Sequence, residues 1–438
     1  MASLPQYSFL ILCSLILAML LLIGRFRCPP FIVLLLAAWF LAALSGMPLS
    51  EITPLVRKGM GELFGDVALI IIMGTLLGNI LERSGGALLL ADRLINLIGH
   101  RHPALALSIA GYLVSIPVYC DSGFILLNSL RKSIAEQGQS HPFTLSTGLA
   151  GGLYATHTFV PPTPGPAAAA LVLGISPSLA IPLGLLLALW ATLIALAWGK
   201  LSTRRMPPLK CHDVKRDVFI ADENRSSLLA LLPIATPLVL MSLATLCCQA
   251  NESELAAFAA QPANALFIGL LATIPLYRNC QGSFHELFSD SIRSCANVIL
   301  IIAAGGALAG VLKETGHVTA VTDMLPDSLG LLLPFCIAAI LKISQGSTTV
   351  ALISAASMTE AMLPSLGLDS DSGRLLAMMS AGAGAMVVAY ANDSYFWVVT
   401  QFSEMDARTG YKTFTMATLL QGLGSLLLIL AISPFLLS

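Results

Sequence analysis

The residues with chemistry to offer in this chain of 438 residues are a few ionisable side chains that interrupt long apolar runs. Asp121, His157 and Asp393 are the most prominent of them. An ionisable side chain is costly inside a membrane and is usually kept there for a function. A carboxyl group or an imidazole can take up and release a proton, so all three are candidates for proton coupling. The structural alternative is that the aspartates cap helices and the histidine is a buried hydrogen-bonding group.

Small, hydroxyl-bearing and glycine residues accompany these groups and could bind an anion. Glycines let the main chain approach a ligand, and the N–H groups at the start of a helix attract negative charge. The alternative is that these are small residues at contacts between helices. The predicted substrate-binding residues are Asp121, Ser122, Gly123, His157, Thr163, Gly165, Gly346, Ser347, Thr348, Thr349 and Asn392.

Other charged residues lie at the ends of apolar runs. Lys342 could balance the charge of a bound anion. A lysine in such a place more often extends to the membrane surface, so we predict that Lys342 does the same. Glu82 with Arg83, and Lys313 with Glu314, are expected to form ion pairs at the interface.

The composition sets the class of protein that must position these residues. The chain is 56% hydrophobic and 11% charged, whereas soluble proteins carry about 25% charged residues. Continuous rather than alternating apolar runs indicate an all-α polytopic membrane protein and exclude a β-barrel. A net charge of −1 gives no case for nucleic-acid binding. The nine scattered cysteines without a Cys-x-x-Cys pair favour free thiols and no metal site.

Residues 154–170, reading YATHTFVPPTPGPAAAA, cannot form an ordinary membrane helix, because each proline removes a backbone donor and crowds the preceding turn. Irregular backbone at membrane depth survives only when it is buried in protein or lines an aqueous cavity. Residues 104–118 are also short for a span and run into a polar apex at 119–124, which indicates a discontinuous helix or re-entrant hairpin. Residues 51–61 are expected at the interface, before a separate span at 67–81.

The two halves of the chain resemble each other. Residues 74–85 align with 305–316, the apex at 121–123 falls opposite 345–347, and the break after residue 151 falls opposite 391–394. Paired interruptions of this kind predict a secondary transporter of about 12 transmembrane segments in two inverted repeats, each with a re-entrant hairpin and a broken helix. The predicted organisation is an N-terminal half (1–199), a basic loop (200–226) and a C-terminal half (227–438). The basic loop is expected in the cytoplasm and the N-terminus in the periplasm.

Five segments together resemble the gluconate permease (GntP) family, gluconate/proton symporters of the ion transporter superfamily. They are residues 74–86, 121–124, 156–166, 346–351 and 392–397, of which Pro161-Pro162-Thr163-Pro164-Gly165-Pro166 is the most specific. The resemblance implies proton-coupled uptake of gluconate or a related small hydroxy acid across a bacterial inner membrane. It also implies a homodimer in which a transport domain moves against a scaffold in an elevator-like way, with no cofactor besides the coupling ion.

Several alternatives stay open. Many relatives have an acidic-Val-Gly-Phe segment where this chain has Asp121-Ser122-Gly123-Phe124, and Gly and His where Thr158 and Thr163 stand, so D-serine or glycerate-type substrates are alternatives to gluconate. Sodium coupling is the alternative to protons, with oxygen ligands near Asn392 and Asp393. A channel would need a continuous polar lining, and no P-loop or catalytic motif indicates a pump or an enzyme.

Overall fold

The structure is a computed structural model. It describes residues 4–22, 26, 28–98, 102–136, 140–204, 206, 227–247, 258–259, 261–277, 280, 283–315, 330–391 and 393–437. Across these residues the chain forms helices joined by turns, with no strand among them. Most of the predicted loop at 200–226 lies outside the described residues, and so does the predicted binding residue Asn392.

Nine helices make up the described part of the first half. They are α1 (Leu4–Leu20), α2 (Pro30–Leu44), α3 (Leu49–Arg83), α4 (Gly86–Ile98), α5 (Pro103–Val114), α6 (Cys120–Glu136), α7 (Pro142–Phe159), α8 (Pro164–Val172) and α9 (Pro177–Thr203). The described part of the second half contains α10 (Ser227–Cys247), α11 (Pro262–Leu271), α12 (Ile274–Tyr277), α13 (Phe284–Thr315), α14 (Leu332–Gln345), α15 (Thr348–Glu360), α16 (Asp371–Met386), α17 (Ser394–Phe402), α18 (Ala407–Gly410) and α19 (Met416–Leu437). A π-helical turn, Tyr411–Thr415, joins the last two.

Four interruptions lie in or within a few residues of the segments that the sequence predicts to be broken. In the first half, α5 and α6 are separated by residues 115–119, and α7 and α8 by 160–163. In the second half, α14 and α15 are separated by 346–347, and α16 and α17 by 387–393. Because each new helix restarts after its break, each break also creates a helix N-terminus in the middle of the protein.

Helix α3 differs from the prediction. A separate interfacial segment at 51–61 is wrong, because a single helix of 35 residues runs from Leu49 to Arg83. Packing explains the continuity: α3 makes its most extensive contacts with α13, and the backbone at Gly59 lies directly against Gly306. Glycines weaken a helix locally, but a long tertiary contact outweighs that cost. After α3 the chain bends by 68° into α4.

Each half contains a layer of three helices packed side by side. Helix α7 lies between α5 and α9, and α16 lies between α14 and α19 in the same way. Glycines make the approach possible, since a β-carbon at Gly152 would overlap the carbonyl of Ser108, and one at Gly384 would overlap that of Phe335. The two layers meet where α7 contacts α16 and α9 contacts α19.

Among the described residues, three helices are long and apolar enough to cross a membrane by themselves: Leu179–Thr203, Phe284–Thr315 and Ala407–Leu437. A fourth candidate is the bent pair Ala68–Arg83 and Gly86–Leu97, if it is counted as one span. Many large apolar side chains are exposed along the helices, as expected of a surface that faces lipid. The chain is a multi-pass membrane protein.

The ion pairs at the ends of α3 and α13 join partners other than those predicted. Arg83 pairs with Asp290 on α13 at 2.5 Å, and Lys313 pairs with Glu360 at the end of α15. Both pairs therefore connect different helices instead of neighbours along the chain. The cysteines whose side chains are described are free; Cys120 and Cys295 are buried, whereas Cys336 is exposed.

Candidate functional site

The helix N-termini created by the breaks meet between the two halves. Helix α8 of the first half packs on α15 of the second, and a β-carbon built on Gly165 would lie 3.5 Å from the Cα of Thr349. Helix α6 likewise packs on α17, where the Phe124 and Tyr395 rings meet edge to face at 6.3 Å. Helix N-termini carry partial positive charge, so their meeting point favours an anion.

Lys342, in the last turn of α14, lies at this meeting point. The prediction that it extends to the membrane surface is wrong, because its side chain has no exposed area. Its ammonium group donates to the carboxylate of Asp393 at 2.5 Å, to the carbonyl of Gly346 at 2.8 Å and to the hydroxyl of Thr348 at 3.0 Å. An ammonium has three donors, and each of them finds an oxygen here. Both breaks of the second half therefore supply oxygen atoms that accept hydrogen bonds from one buried cation, the ammonium of Lys342.

Asp393 is both the partner of Lys342 and the cap of helix α17. One carboxylate oxygen accepts from Lys342, and the other accepts from the backbone N–H of Tyr395 at 2.9 Å. Asp393 is buried, with 5% of its surface exposed. Asp393 is therefore a helix cap that is also ion-paired. Its carboxylate is a negative charge at a helix N-terminus, a position that suits an anion.

Two tyrosines enclose the pair, and the sequence analysis missed both. Tyr154 donates or accepts a 2.6 Å hydrogen bond with the Thr348 hydroxyl, and its ring centroid lies 5.6 Å from the Lys342 ammonium. Tyr395 stacks on Tyr154 at 5.6 Å and donates to the carbonyl of Ala150 at 3.1 Å. Their positions next to a glycine pair and a helix cap were a possible signal, but an aromatic residue in an apolar helix is usually only a packing residue.

The predicted residues at the start of α6 divide into two groups. Asp121 and Ser122 are half-buried, and Asp121 lies within electrostatic range of Asp393 and Lys342 without a hydrogen bond to either. Gly123 is buried in helix packing, since a β-carbon there would lie 2.7 Å from the Leu153 side chain. The structure therefore brings Asp121 to the charged pair and turns Gly123 away from it.

A small cavity lies beside the breaks of the first half, lined in part by His157, Thr163, Tyr119 and Thr75. It encloses about 10 Å³, which is room for one water molecule. The Nδ1 atom of His157 is buried and has no hydrogen-bond partner among the described residues. The Tyr119 ring lies 5.8 Å from the histidine ring, and its hydroxyl is 3.1 Å from that of Thr75. These groups offer hydrogen bonds to a polar ligand, but a sugar acid would need the helices to separate.

The turn between α14 and α15 is formed by Gly346 and Ser347. Gly346 has a φ of 76°, a left-handed conformation that favours glycine, and this orients its carbonyl toward Lys342. Ser347 caps α15 through a hydrogen bond from the N–H of Val350 to its hydroxyl. Thr349 is half-buried and faces Gly165. At the start of α8, Pro164 and Pro166 have no N–H, so Gly165 is the remaining backbone donor of that turn.

Several known proteins are similar to this chain over most of its length. The model of the GntP family permeases matches residues 7–435. A gluconate permease of Pseudomonas aeruginosa is 31% identical over 95% of this chain and 95% of its own. The Gnt-II system L-idonate transporter of Escherichia coli is 28% identical over 96% and 97%. The crystal structure of the Alcanivorax borkumensis YdaH transporter shares the fold, with a TM-score of 0.67 at 16% identity, over 93% of this chain and 99% of that one.

These relatives are permeases and transporters rather than enzymes, and they align with the chain from end to end, through every break that builds the meeting point of helix N-termini. The chain belongs to the GntP family of permeases.

Proposed function

We propose that the protein is a proton-coupled symporter that takes up gluconate or a related sugar acid across the bacterial inner membrane. The observation that carries the proposal is the buried pair of Lys342 and Asp393 at the meeting point of helix N-termini from both halves. Such a site offers an anion a cation and oriented backbone dipoles, and it contains a carboxylate that can take up a proton. Two of the relatives are named as transporters of gluconate and of L-idonate, and the proposed substrate class follows these names.

The remaining predicted residues supply recognition of the hydroxyl groups. His157 has an unpartnered ring nitrogen, and Thr163, Tyr119 and Thr75 bring hydroxyls to the same cavity. A sugar acid has a carboxylate at one end and a row of hydroxyls along the chain. The carboxylate would lie at the second-half breaks, toward Thr348 and Thr349, and the hydroxyls would reach the first-half breaks.

Protons suit this site better than sodium as the coupling ion. The carbonyl of Gly346, the hydroxyl of Thr348 and the carboxylate of Asp393 form a set of oxygen ligands typical of a small hard cation. The ammonium of Lys342 already fills that set, so a sodium ion there would have to displace a tethered cation. A change of charge on Asp393 or Asp121 needs no such displacement.

The fold supports the proposed alternating access. Both halves follow the same order, with a long helix (α3 or α13), two broken pairs and a final long helix. This order supports two inverted repeats with about 12 membrane segments in total. The cavity has room for one water only, so binding of a sugar acid needs the helices to separate. We propose that one group of helices moves against another, in the manner of an elevator.

The test is uptake of labelled gluconate into proteoliposomes that carry an inward proton gradient and no sodium, with L-idonate, glycerate and D-serine as competitors. Accumulation that a protonophore abolishes is the expected result. Uptake that begins only when sodium is added would replace the coupling ion. Absence of uptake under both gradients would overturn the proposed substrate class.

A further inference from the structure

The three donors of Lys342 are all satisfied from within the protein, and the strongest acceptor among them is a carboxylate. Asp393 places that carboxylate at a helix N-terminus and against an ammonium, which are the two features that an anion-binding site would offer to a carboxylate substrate. A carboxylate of the protein itself therefore occupies the position that would suit the carboxylate of the substrate.

We propose, on the basis of the function proposed above, that Lys342 is the counter-charge of the substrate and that Asp393 is its built-in competitor. Uptake of a proton converts the carboxylate of Asp393 to a neutral acid, and its ion pair with Lys342 is lost. The carboxylate of the substrate then pairs with Lys342 in its place. One proton enters with one anion, and the net charge of the site, counted with the bound anion, is zero before and after.

Desolvation makes protonation of Asp393 and binding of the anion depend on each other. A buried charge without a partner is strongly unfavourable, whereas a paired one is tolerated. A proton on Asp393 without an anion would leave Lys342 as a bare buried cation. An anion beside an ionised Asp393 would give two carboxylates for one ammonium. Only the empty neutral pair and the site loaded with both proton and anion avoid these states, so these are the forms that cross.

The groups around Asp393 have to be considered, because each could change its response to pH. Lys342 comes from α14 and Tyr154 from α7, while Cys120 and Asp121 come from α6 and Tyr395 from its own helix. Asp121 is the serious rival, because it is a second carboxyl group within electrostatic range of the pair. It makes no hydrogen bond to Lys342 among the contacts of the described residues, so its protonation would not release the ammonium. The two aspartates therefore predict different outcomes.

The test is isothermal titration of the purified full-length protein with gluconate across a range of pH. If protonation of Asp393 is required for binding, the dissociation constant of the wild type rises with pH, by up to about tenfold per pH unit. In Asp393→Asn the dissociation constant should change less than about twofold over the same range, because the amide caps α17 but cannot compete as an anion. Asp121→Asn should keep the wild-type slope.

Lys342→Met should weaken binding by at least about 30-fold, the loss expected when one partner of a buried charge pair is truncated. The matched control is Lys313→Met, since Lys313 pairs with Glu360 away from the site and is half-exposed. If Lys342→Met alone is unstable because Asp393 is left unpaired, the double variant Lys342→Met with Asp393→Asn removes both charges. It should fold and still fail to bind.

The outcomes separate the two proposals. Binding by Lys342→Met within about threefold of the wild type, or a tenfold slope that persists in Asp393→Asn, would overturn the competition between Asp393 and substrate and leave the symporter proposal intact. A slope that flattens in Asp121→Asn instead would give the role to Asp121. A wild type that binds no gluconate, L-idonate, glycerate or D-serine at any pH would overturn the proposed function itself.

Discussion

The two halves build the same pair of breaks with different chemistry. At the end of α5 the hydroxyl of Ser115 donates to the carbonyl of Val118, whereas at the end of α14 the ammonium of Lys342 donates to that of Gly346. Residue Thr163 precedes α8 without capping it through its side chain, whereas Asp393 caps α17 with a carboxylate. The second-half breaks are therefore joined by a buried ion pair, whereas Asp121, the carboxylate beside the first-half breaks, makes no ion pair among the described residues. Under the proposed function, the first half would recognise the hydroxyl groups of the substrate and the second half would carry the charge coupling.

The sharpest way to break this comparison is to neutralise each half in turn. We expect Asp393→Asn to abolish uphill accumulation of substrate while exchange across the membrane persists, because the proton-binding group is gone but the helix cap remains. Thr163→Val, at the matching position of the first half, should keep uphill accumulation and only lower affinity. Measurement of steady-state uptake in proteoliposomes compares the two; a Thr163 variant that also loses accumulation would contradict the division.

A second contrast concerns the glycines at the two meeting helix N-termini. Gly346→Val forces a branched residue into a left-handed conformation, which costs about 1–2 kcal/mol, and it shifts the carbonyl that holds Lys342. Gly165→Ala needs no such conformation, and its new methyl group would lie at ordinary van der Waals distance from Thr349. We expect a clear loss of thermal stability and of gluconate binding in the first variant and little change in the second. Equal melting temperatures would contradict the strain argument.

A substitution in the first half should weaken substrate binding without affecting proton coupling. His157→Phe removes the unpartnered ring nitrogen, and the loss of one hydrogen bond to substrate of about 1 kcal/mol corresponds to roughly fivefold weaker binding. The dependence of binding on pH should stay that of the wild type. A titration series across pH checks both statements, and a flattened pH dependence would assign His157 to the coupling machinery.

The smallest effect is expected at the ends of the long helices. Arg83 and Asp290 form a partly exposed pair, so Asp290→Asn should change stability by less than about 0.5 kcal/mol and leave transport unaltered. Thermal unfolding monitored alongside uptake measures both. A larger loss would mean that this pair, like the one at Lys342, is more than a surface contact.

Much of the framework follows from local sequence. The breaks are predicted in 119–124, 154–170, 345–347 and 391–394, because prolines, glycines and polar residues interrupt apolar runs there and the backbone cannot continue as an ordinary helix. The structure places them at 115–119, 160–163, 346–347 and 387–393, so the sequence predicts their existence better than their exact bounds. The continuity of α3 is not predictable in this way, because it depends on contact with α13.

The charged pair shows the same limit more clearly. A lysine at the end of an apolar run gives the same local pattern whether it extends to the surface or turns inward. What decides is a carboxylate 51 residues further along the chain, on another helix. Likewise, the partners of Arg83 and Lys313 belong to helices that only the folded protein brings together.

That separation of 51 residues also bears on how the protein is made. During synthesis Lys342 leaves the ribosome well before Asp393 exists, so the helix that carries it enters the membrane without its counter-charge. A lone lysine at the centre of a membrane helix costs roughly 2.5–3.5 kcal/mol during insertion. The α14–α15 hairpin is thus expected to wait near the headgroups and to reach its final depth only when α17 arrives. Assembly of the charged centre is then a late event in biogenesis, and a chain truncated before Asp393 should leave that hairpin accessible to water-soluble labels.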